Sequence, residues 1–256
     1  MSKLAVIVLT KNEEKNIADV IANAKGCADE VVIVDSGSTD GTVTMAQALG
    51  ARVVYRAWDH DFAAQRNFAL TQTDADWVLY LDADERMDGE FIKQVKVLVE
   101  QNEPQQYLMT RRVVAFNYTF KYGIFAPDQV VRLFPRNAAI WKNKVHEHPE
   151  SNLPKAIIGG AVLHYTYVGW QQWVDKINQY TTIWAEDNFA QGKKTSSGAA
   201  FYHALYGFIR AYILQRGFLD GWMGLYASCQ HFFYTMLKYV KLYHLQVVAR
   251  SSNDGR

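Results

Sequence analysis

The sequence predicts an α/β fold with a mostly parallel central sheet, followed by a C-terminal helical segment. Three observations lead there. Apolar runs at 4–10, 30–34, 52–56 and 77–81 are strand-length, and each precedes a stretch of helical periodicity. Near-continuous apolar strands alternating with helices describe a parallel sheet covered on both faces. Beyond residue 166 the strand signals stop, and aromatic residues recur every three or four positions.

In order, strand 4–10 leads to a helix over 13–25, strand 30–34 to one over 42–49, strand 52–56 to one over 61–71, and strand 77–81 to one over 88–101. From 107 the pattern turns β-rich, with segments at 107–115, 129–135, 139–146 and 157–165. Helical spacing returns through Trp170, Trp173, Ile177, Tyr180 and Trp184, then from Phe201 to Tyr212 and from Trp222 to Val240, with a break at Arg216-Gly217. These stripes read as helix-pair contacts. The expected divisions are an α/β domain over 1–166 with halves meeting near 102, a helical, basic and aromatic region over 167–250, and a tail over 251–256.

A chain of 256 residues that is 49% hydrophobic and 21% charged, with 5 Pro and 16 Gly, is neither disordered nor fibrous. Two cysteines, Cys27 and Cys229, exclude a disulfide framework and fit a reducing, cytoplasmic compartment. The apolar run after Lys3 is closed by Lys11-Asn12-Glu13-Glu14 too early for a signal peptide. Gly221 to Leu237 is interrupted by Ser228, Gln230 and His231, which argues against a spanning helix.

The net charge of +1 conceals a division: residues 193–250 carry +6 and residues 1–192 carry −5. Of the 35 aromatic residues, 13 fall in the basic segment. Such a segment suits an anionic membrane surface or a phosphorylated acceptor, or else is a helical subdomain with a solvated basic face. The same helices equally suit a homodimer interface. No nucleic-acid partner is expected.

Ligands of parallel sheets bind beyond the carboxyl ends of the strands, and the polar motifs stand there. Asp82-Ala83-Asp84 places two carboxylates one residue apart at a strand end. They suit a hard divalent cation, Mg²⁺ or Mn²⁺, that also takes diphosphate oxygens; an acidic turn that merely ends a strand would read the same in isolation. Asp35-Ser36-Gly37-Ser38-Thr39-Asp40-Gly41-Thr42 closes the second strand. Its glycines let the backbone approach a flat ligand, Asp35 would accept a nucleobase N–H, and Asp40 and Thr42 read as helix caps. No Gly-x-Gly-x-x-Gly or Walker sequence is present, so neither a dinucleotide site of that kind nor a P-loop is expected.

Together, Thr10-Lys11-Asn12-Glu13, Val34 to Thr42, Gln65-Arg66-Asn67-Phe68-Ala69 and Leu81-Asp82-Ala83-Asp84-Glu85 resemble, in order, the successive motifs of glycosyltransferase family 2. The resemblance implies the GT-A fold, a Rossmann-like nucleotide-sugar-binding domain using a metal held by Asp-x-Asp. Arg132-Leu133-Phe134-Pro135-Arg136, Lys144-Val145-His146-Glu147 and His164-Tyr165 extend the likeness toward bacterial lipopolysaccharide inner-core β-1,4-glucosyltransferases. Those transfer glucose from UDP-glucose to a core heptose.

Carried over residue by residue, the resemblance implies that Asp35 binds uracil and that Thr10, Asn12, Glu13, Ser36 and Gly37 belong to the uridine pocket. Asp82, Ala83 and Asp84 would approach ribose, metal and diphosphate, with Asp84 the direct ligand and His164 a further metal ligand. Arg66 would contact the diphosphate or the sugar, or else form a salt bridge on a helix surface. Glu147 would be the base of an inverting transfer, with Asp128 the competing candidate. Arg132 and Arg136 would hold a phosphate of the lipopolysaccharide core by bidentate hydrogen bonds, or else are sheet-surface charges. A cytoplasmic enzyme peripheral on the inner face of the bacterial inner membrane is the placement that follows.

Three rivals remain in view. One keeps the fold and changes the acceptor to a polyprenyl phosphate, another surface polysaccharide or a protein. A nucleotidyltransferase would want a glycine- and arginine-rich loop after the first strand, and Thr10 to Asn16 contains no glycine. A non-catalytic scaffold is opposed by the intact Asp82, Asp84 and Glu147.

Overall fold

The computed structural model describes residues 2–144, 147–167 and 169–254 and divides into two compact units. One comprises the chain up to Arg111 and Asp128–Tyr165; the other comprises Arg112–Pro127 and the chain from Thr166 onward.

The first unit opens with the expected alternation: β1 (Leu4–Thr10), α1 (Glu14–Ala24), β2 (Glu30–Asp35), α2 (Thr42–Ala48), β3 (Arg52–Tyr55), α3 (Phe62–Leu70) and β4 (Trp77–Asp82). A short β5 (Glu85–Met87) precedes α4 (Gly89–Gln101). The chain continues as β6 (Gln106–Ala115), β7 (Tyr118–Thr119), β8 (Asp128–Pro135), β9 (Ile140–Lys142), β10 (His148–Glu150), β11 (Lys155–Ile157) and β12 (Val162–Tyr167), of which β7, the end of β6 after Arg111 and the end of β12 after Tyr165 fall in the second unit.

The core of the sheet is parallel in the order β3-β2-β1-β4, and β8, β6, β12 and β5 continue it from β4. The extension onto β8 and β6 is antiparallel. In the parallel part the register sets Thr10 beside Asp35, Asp35 beside Tyr55 and Leu9 beside Asp82, so the motif-bearing strand ends share one edge. The apolar runs are continuous because both faces are covered. Leu4, Val6 and Val8 pack with Ile17, Val20 and Ile21 of α1 and with Phe91 and Val95 of α4. Ile7, Val32, Val34 and Tyr80 pack with Ala63 and Ala69 of α3 and with Trp141 of β9.

Two strand expectations change. The run 157–165 is two strands, because Gly160 turns the chain with φ 82° and its Cα sits against the start of α4; a Cβ there would lie 2.3 Å from Phe91 N. His164 lies inside the second of them, β12. The run 139–146 is a strand only over Ile140–Lys142, and Val145 and His146 lie outside the described residues.

The second unit holds α5 (Trp170–Ala190), α6 (Ser197–Ile209) and α7 (Gly221–Asp254). Residues 112–127 group with these helices rather than with the remainder of the 1–166 domain to which the sequence assigns them. Phe120 and Ala115 are buried with Ala227 of α7, and Phe116, Phe125 and Met223 pack against them. Among the described residues no helix is long and apolar enough to cross a membrane.

Candidate active site

Two loops build one wall. After β1 the chain turns at Asn12, whose φ of 58° is a conformation asparagine tolerates; after β2 it turns at Gly37, φ 93°, where a side chain would be strained. The loops are stitched together. Asn12 N donates to Ser38 Oγ (2.9 Å), Thr39 N to Asn12 Oδ1 (2.8 Å) and Glu13 N to Thr42 Oγ1 (2.8 Å). Asp40 and Thr42 are not N-cap residues, since Gly41 holds that position in α2 and Thr42 is its first residue; Asp40 instead accepts from the first backbone N–H of α1, Glu14 (3.2 Å), and of α2, Thr42 (3.0 Å).

Asp35 is buried in this arrangement. Its Oδ1 accepts from Gly37 N and Ser38 N, both at 2.9 Å, and its Oδ2 accepts from Ser38 Oγ and from Thr10 Oγ1 (3.3 Å). Four donors fill the acceptor capacity of a carboxylate. Asp35 thus shapes the loop that presents Ser36.

A cavity of about 310 Å³ opens at the carboxyl ends of β1, β2 and β4. Of the residues expected at the donor, Thr10, Glu13, Ser36, Asp82, Ala83 and Asp84 line it, whereas Asn12, Asp35, Gly37 and Arg66 do not. The rest of its wall includes Lys11 and Gln65, which stand in the motifs read from the sequence, and Trp58 and Phe62, which that reading did not single out. Trp58 and Phe62 meet edge to face, 4.6 Å between ring centres. Their signal was positional: they follow β3, which pairs in parallel with β2 and, unlike β1, β2 and β4, carries no polar motif at its carboxyl end.

Beside the cavity the charged residues form a chain. Arg66, on α3, is buried; its Nη2 donates to Asp82 Oδ1 (3.0 Å) and its Nε to Glu147 Oε1 (3.2 Å). It is neither a helix-surface residue nor a wall of the cavity. Arg132 approaches the other oxygen of Asp82 at 3.6 Å. Both guanidiniums lie over Trp141, at 4.8 Å and 5.5 Å from the ring centre. Burial works to raise the Asp82 pKa, but Arg132 and Arg66 outweigh it and hold the carboxyl well below the usual carboxylate range.

Glu85 continues the chain inward. It is fully buried, accepts from Asp82 N (2.9 Å) and lies 3.5 Å from Arg111. Burial, reinforced by the charge of Asp82, pushes its carboxyl up to about 7. Arg111 also makes a two-pronged bond to Asp128, at 3.0 and 2.7 Å. Asp128 is thereby committed to an ion pair.

Asp84 and His164 face one another, with Oδ2 and Nε2 3.2 Å apart. Strand pairing makes this contact: His164 of β12 is opposite Glu85 of β5, and Tyr165 N donates to Asp84 O (2.9 Å). Burial opposes the imidazolium, but the hydrogen bond and charge of Asp84 prevail and raise the His164 pKa. Asp82 does not complete a triad with them, since both of its oxygens face arginines. Among the described residues no group of three or more His, Cys, Asp or Glu side chains is gathered for a metal.

The two arginines expected at an acceptor phosphate are not a pair. Arg132 is buried against Asp82 and Trp141, 6% exposed. Arg136 follows β8, whose Pro135 is opposite Trp77 at the start of β4, the end remote from Asp82. Its Nε donates to Ala75 O (2.9 Å). The register with β4 leaves Arg136 beyond Trp77, whereas Arg132 lies on the Asp82 side of Leu79.

A family model described as glycosyl transferase family 2 matches residues 5–153. An uncharacterized glycosyltransferase of Rickettsia typhi is 31% identical, over 98% of this chain and 90% of its own. The lipopolysaccharide core biosynthesis glycosyltransferase LpsC of Rhizobium meliloti is 28% identical, over 98% of this chain and 95% of its own. Glucosyl-3-phosphoglycerate synthase from Mycobacterium tuberculosis, solved with Mn²⁺, uridine diphosphate and glucosyl-3-phosphoglycerate, is 25% identical over 45% of either chain, with a TM-score of 0.37.

Proposed function

This chain belongs to glycosyltransferase family 2, and we propose that it moves glucose from UDP-glucose to a heptose of the lipopolysaccharide inner core, with inversion at the anomeric carbon. One observation carries the reading. The ends of β1, β2 and β4 converge on a single cavity in which Asp82 and Asp84 stand beside Ser36 and Thr10. The acceptor class draws its support from the full-length likeness to LpsC.

In this reading uridine occupies the cavity between the stitched loops and the Trp58–Phe62 wall, and the diphosphate points toward Asp84. Asp84 and His164 fit a divalent cation, Mg²⁺ or Mn²⁺: a carboxylate oxygen and an imidazole nitrogen already lie within contact of each other at a strand turn. Such an ion supplies Lewis-acid stabilisation of the charge that develops on the departing UDP. Asp82, held ionised by two guanidiniums, orients the ribose side of the donor. Glu147 takes the proton of the attacking heptose hydroxyl. Arg66 positions that base, because one guanidinium grips both Glu147 and Asp82.

The basic, aromatic helical unit would hold the enzyme against an anionic membrane, on the cytoplasmic face where a lipid-linked acceptor is displayed.

UDP release from a panel of UDP-sugars, with and without heptose-terminated lipopolysaccharide, tests the proposal. Release is expected from UDP-glucose, and only with a divalent metal and acceptor. Glu147→Gln is expected to bind UDP with wild-type affinity and to lower turnover by about 10²–10⁴-fold. Asp84→Ala is expected to lose metal-dependent UDP binding. Turnover of a different donor would replace glucose; a wild-type rate for Glu147→Gln would remove it as the base.

A further inference from the structure

In the second unit α6 does not pass directly into α7. The chain loosens into a π-type turn over Arg210–Leu214, takes Arg216 through the left-handed region at φ 58°, and enters α7 by a tighter turn over Gly217–Asp220. The outer side of this connection is apolar. Ile213, Leu214, Phe218, Leu219 and Trp222 are exposed, Leu214 by 66% and Trp222 by 77%. Folded chains rarely leave so many large apolar side chains in water at one place unless something covers them.

The exposure is imposed by a rigid frame. Asp220, the acid of the connection, is buried and accepts from Tyr118 Oη (3.1 Å), Lys121 N (3.1 Å) and Tyr122 N (2.8 Å). Gln215 N donates to Arg210 O (2.8 Å) and Leu219 N to Arg216 O (2.9 Å), while Gly123 N reaches across to Gln215 O (3.0 Å). Gly217 and Gly224 pack backbone to backbone, so that a Cβ on Gly224 would overlap Gly217 O. The acid is thus turned in and the apolar side chains out. The exposed charges of the connection, Arg210 and Arg216, are both positive.

We infer that this turn is a membrane-docking element: Leu214, Phe218 and Trp222 enter the boundary between headgroups and acyl chains of an anionic bilayer, and Arg210 and Arg216 meet lipid phosphates. The inference deepens the membrane placement proposed above by naming the element responsible. Tryptophan and aliphatic side chains flanked by arginine are the composition of an interfacial anchor, the guanidiniums remaining at phosphate level while their stems lie along apolar surface. No described helix is long and apolar enough to cross a bilayer. A second copy of the chain is a poorer occupant. A twofold contact would bring the same arginines together, with no exposed carboxylate in the connection to oppose them.

The test is co-sedimentation of the full chain with vesicles of phosphatidylethanolamine and phosphatidylglycerol, and with vesicles of phosphatidylcholine alone. The wild type is expected to partition at least about tenfold more strongly onto the anionic vesicles, and to be released by salt. Leu214→Ser/Trp222→Ser removes the two most exposed large apolar side chains of the turn. It is expected to weaken that partition by about tenfold or more while leaving the circular dichroism spectrum and UDP release with a delipidated acceptor unchanged. Brominated lipid should quench wild-type tryptophan fluorescence more than that of Trp222→Ser. If the double variant binds vesicles like the wild type, while Lys193→Ala/Lys238→Ala does not, the turn is excluded and the membrane placement stands. If the wild type binds neither vesicle, both fall. If the double variant only converts a dimer to a monomer by light scattering, the turn is an interface between copies and the inference is overturned.

Discussion

Arg66 shows how one side chain acquires its meaning from neighbours distant in sequence. Its guanidinium is buried between Asp82 and Glu147, residues 16 and 81 positions away. Removing it leaves the carboxylates without their shared cation, so Arg66→Ala should cost about 3 kcal/mol in denaturant unfolding, the lower end for a broken buried pair because Asp82 is a third exposed. Arg66→Lys keeps the charge but not the fork, and should recover stability better than turnover. A gain in stability from Arg66→Ala would show that the pair is held for geometry alone. Cys27 is a contrasting case. Burial pushes its thiol up to about 12, so it stays a neutral thiol across the ordinary pH range. Iodoacetamide at pH 8 should leave Cys27 unmodified in the folded protein, and mass spectrometry should find it labelled only after denaturation.

At the scale of elements, the site depends on where strands and helices begin. Asp88 caps α4 by accepting from Phe91 N (2.8 Å), and its second oxygen accepts from Ala161 N (2.9 Å), just ahead of β12. One carboxylate therefore ties the start of a helix to the strand that carries His164. Asp88→Ala should lower unfolding free energy by about 1–2 kcal/mol. It should also weaken metal-dependent UDP binding more than Asn102→Ala, at the far end of the same helix, does. Gly160→Ala should be worse than Asp88→Ala in thermal unfolding, because its Cβ has no room against Phe91 N. The apolar periodicity of α4 was plain in the sequence, and so was its start. What periodicity does not carry is the second bond of Asp88, a contact across 73 residues.

Across the whole molecule, the boundary between the units is the feature most altered by folding. A cut at 166 looks natural in the sequence, since strand signals end there. Phe120 and Phe125 nevertheless sit in the helical unit's core with Ala227 and Met223. A chain ended at Tyr165 should therefore expose this aromatic hairpin and aggregate, as judged by size-exclusion chromatography. Deleting only residues 251–256 should leave the elution and the thermal midpoint unchanged.

The parallel half of the sheet and the grouping of its motifs are legible in the order of residues. Apolar runs covered on both faces admit no other layer, and every strand of a parallel sheet points its carboxyl end the same way. That order therefore placed Thr10, Ser36, Asp82 and Asp84 at one edge before any contact was known. Which charges meet became visible only in the folded chain. Antiparallel pairing of β8 put Arg132 on Asp82 and sent Arg136 to the far end, and pairing of β12 with β5 brought His164 to Asp84. The reason is physical: local periodicity records which face of an element is buried, whereas an ion pair depends on register between strands, and register is set by the packing of the whole core.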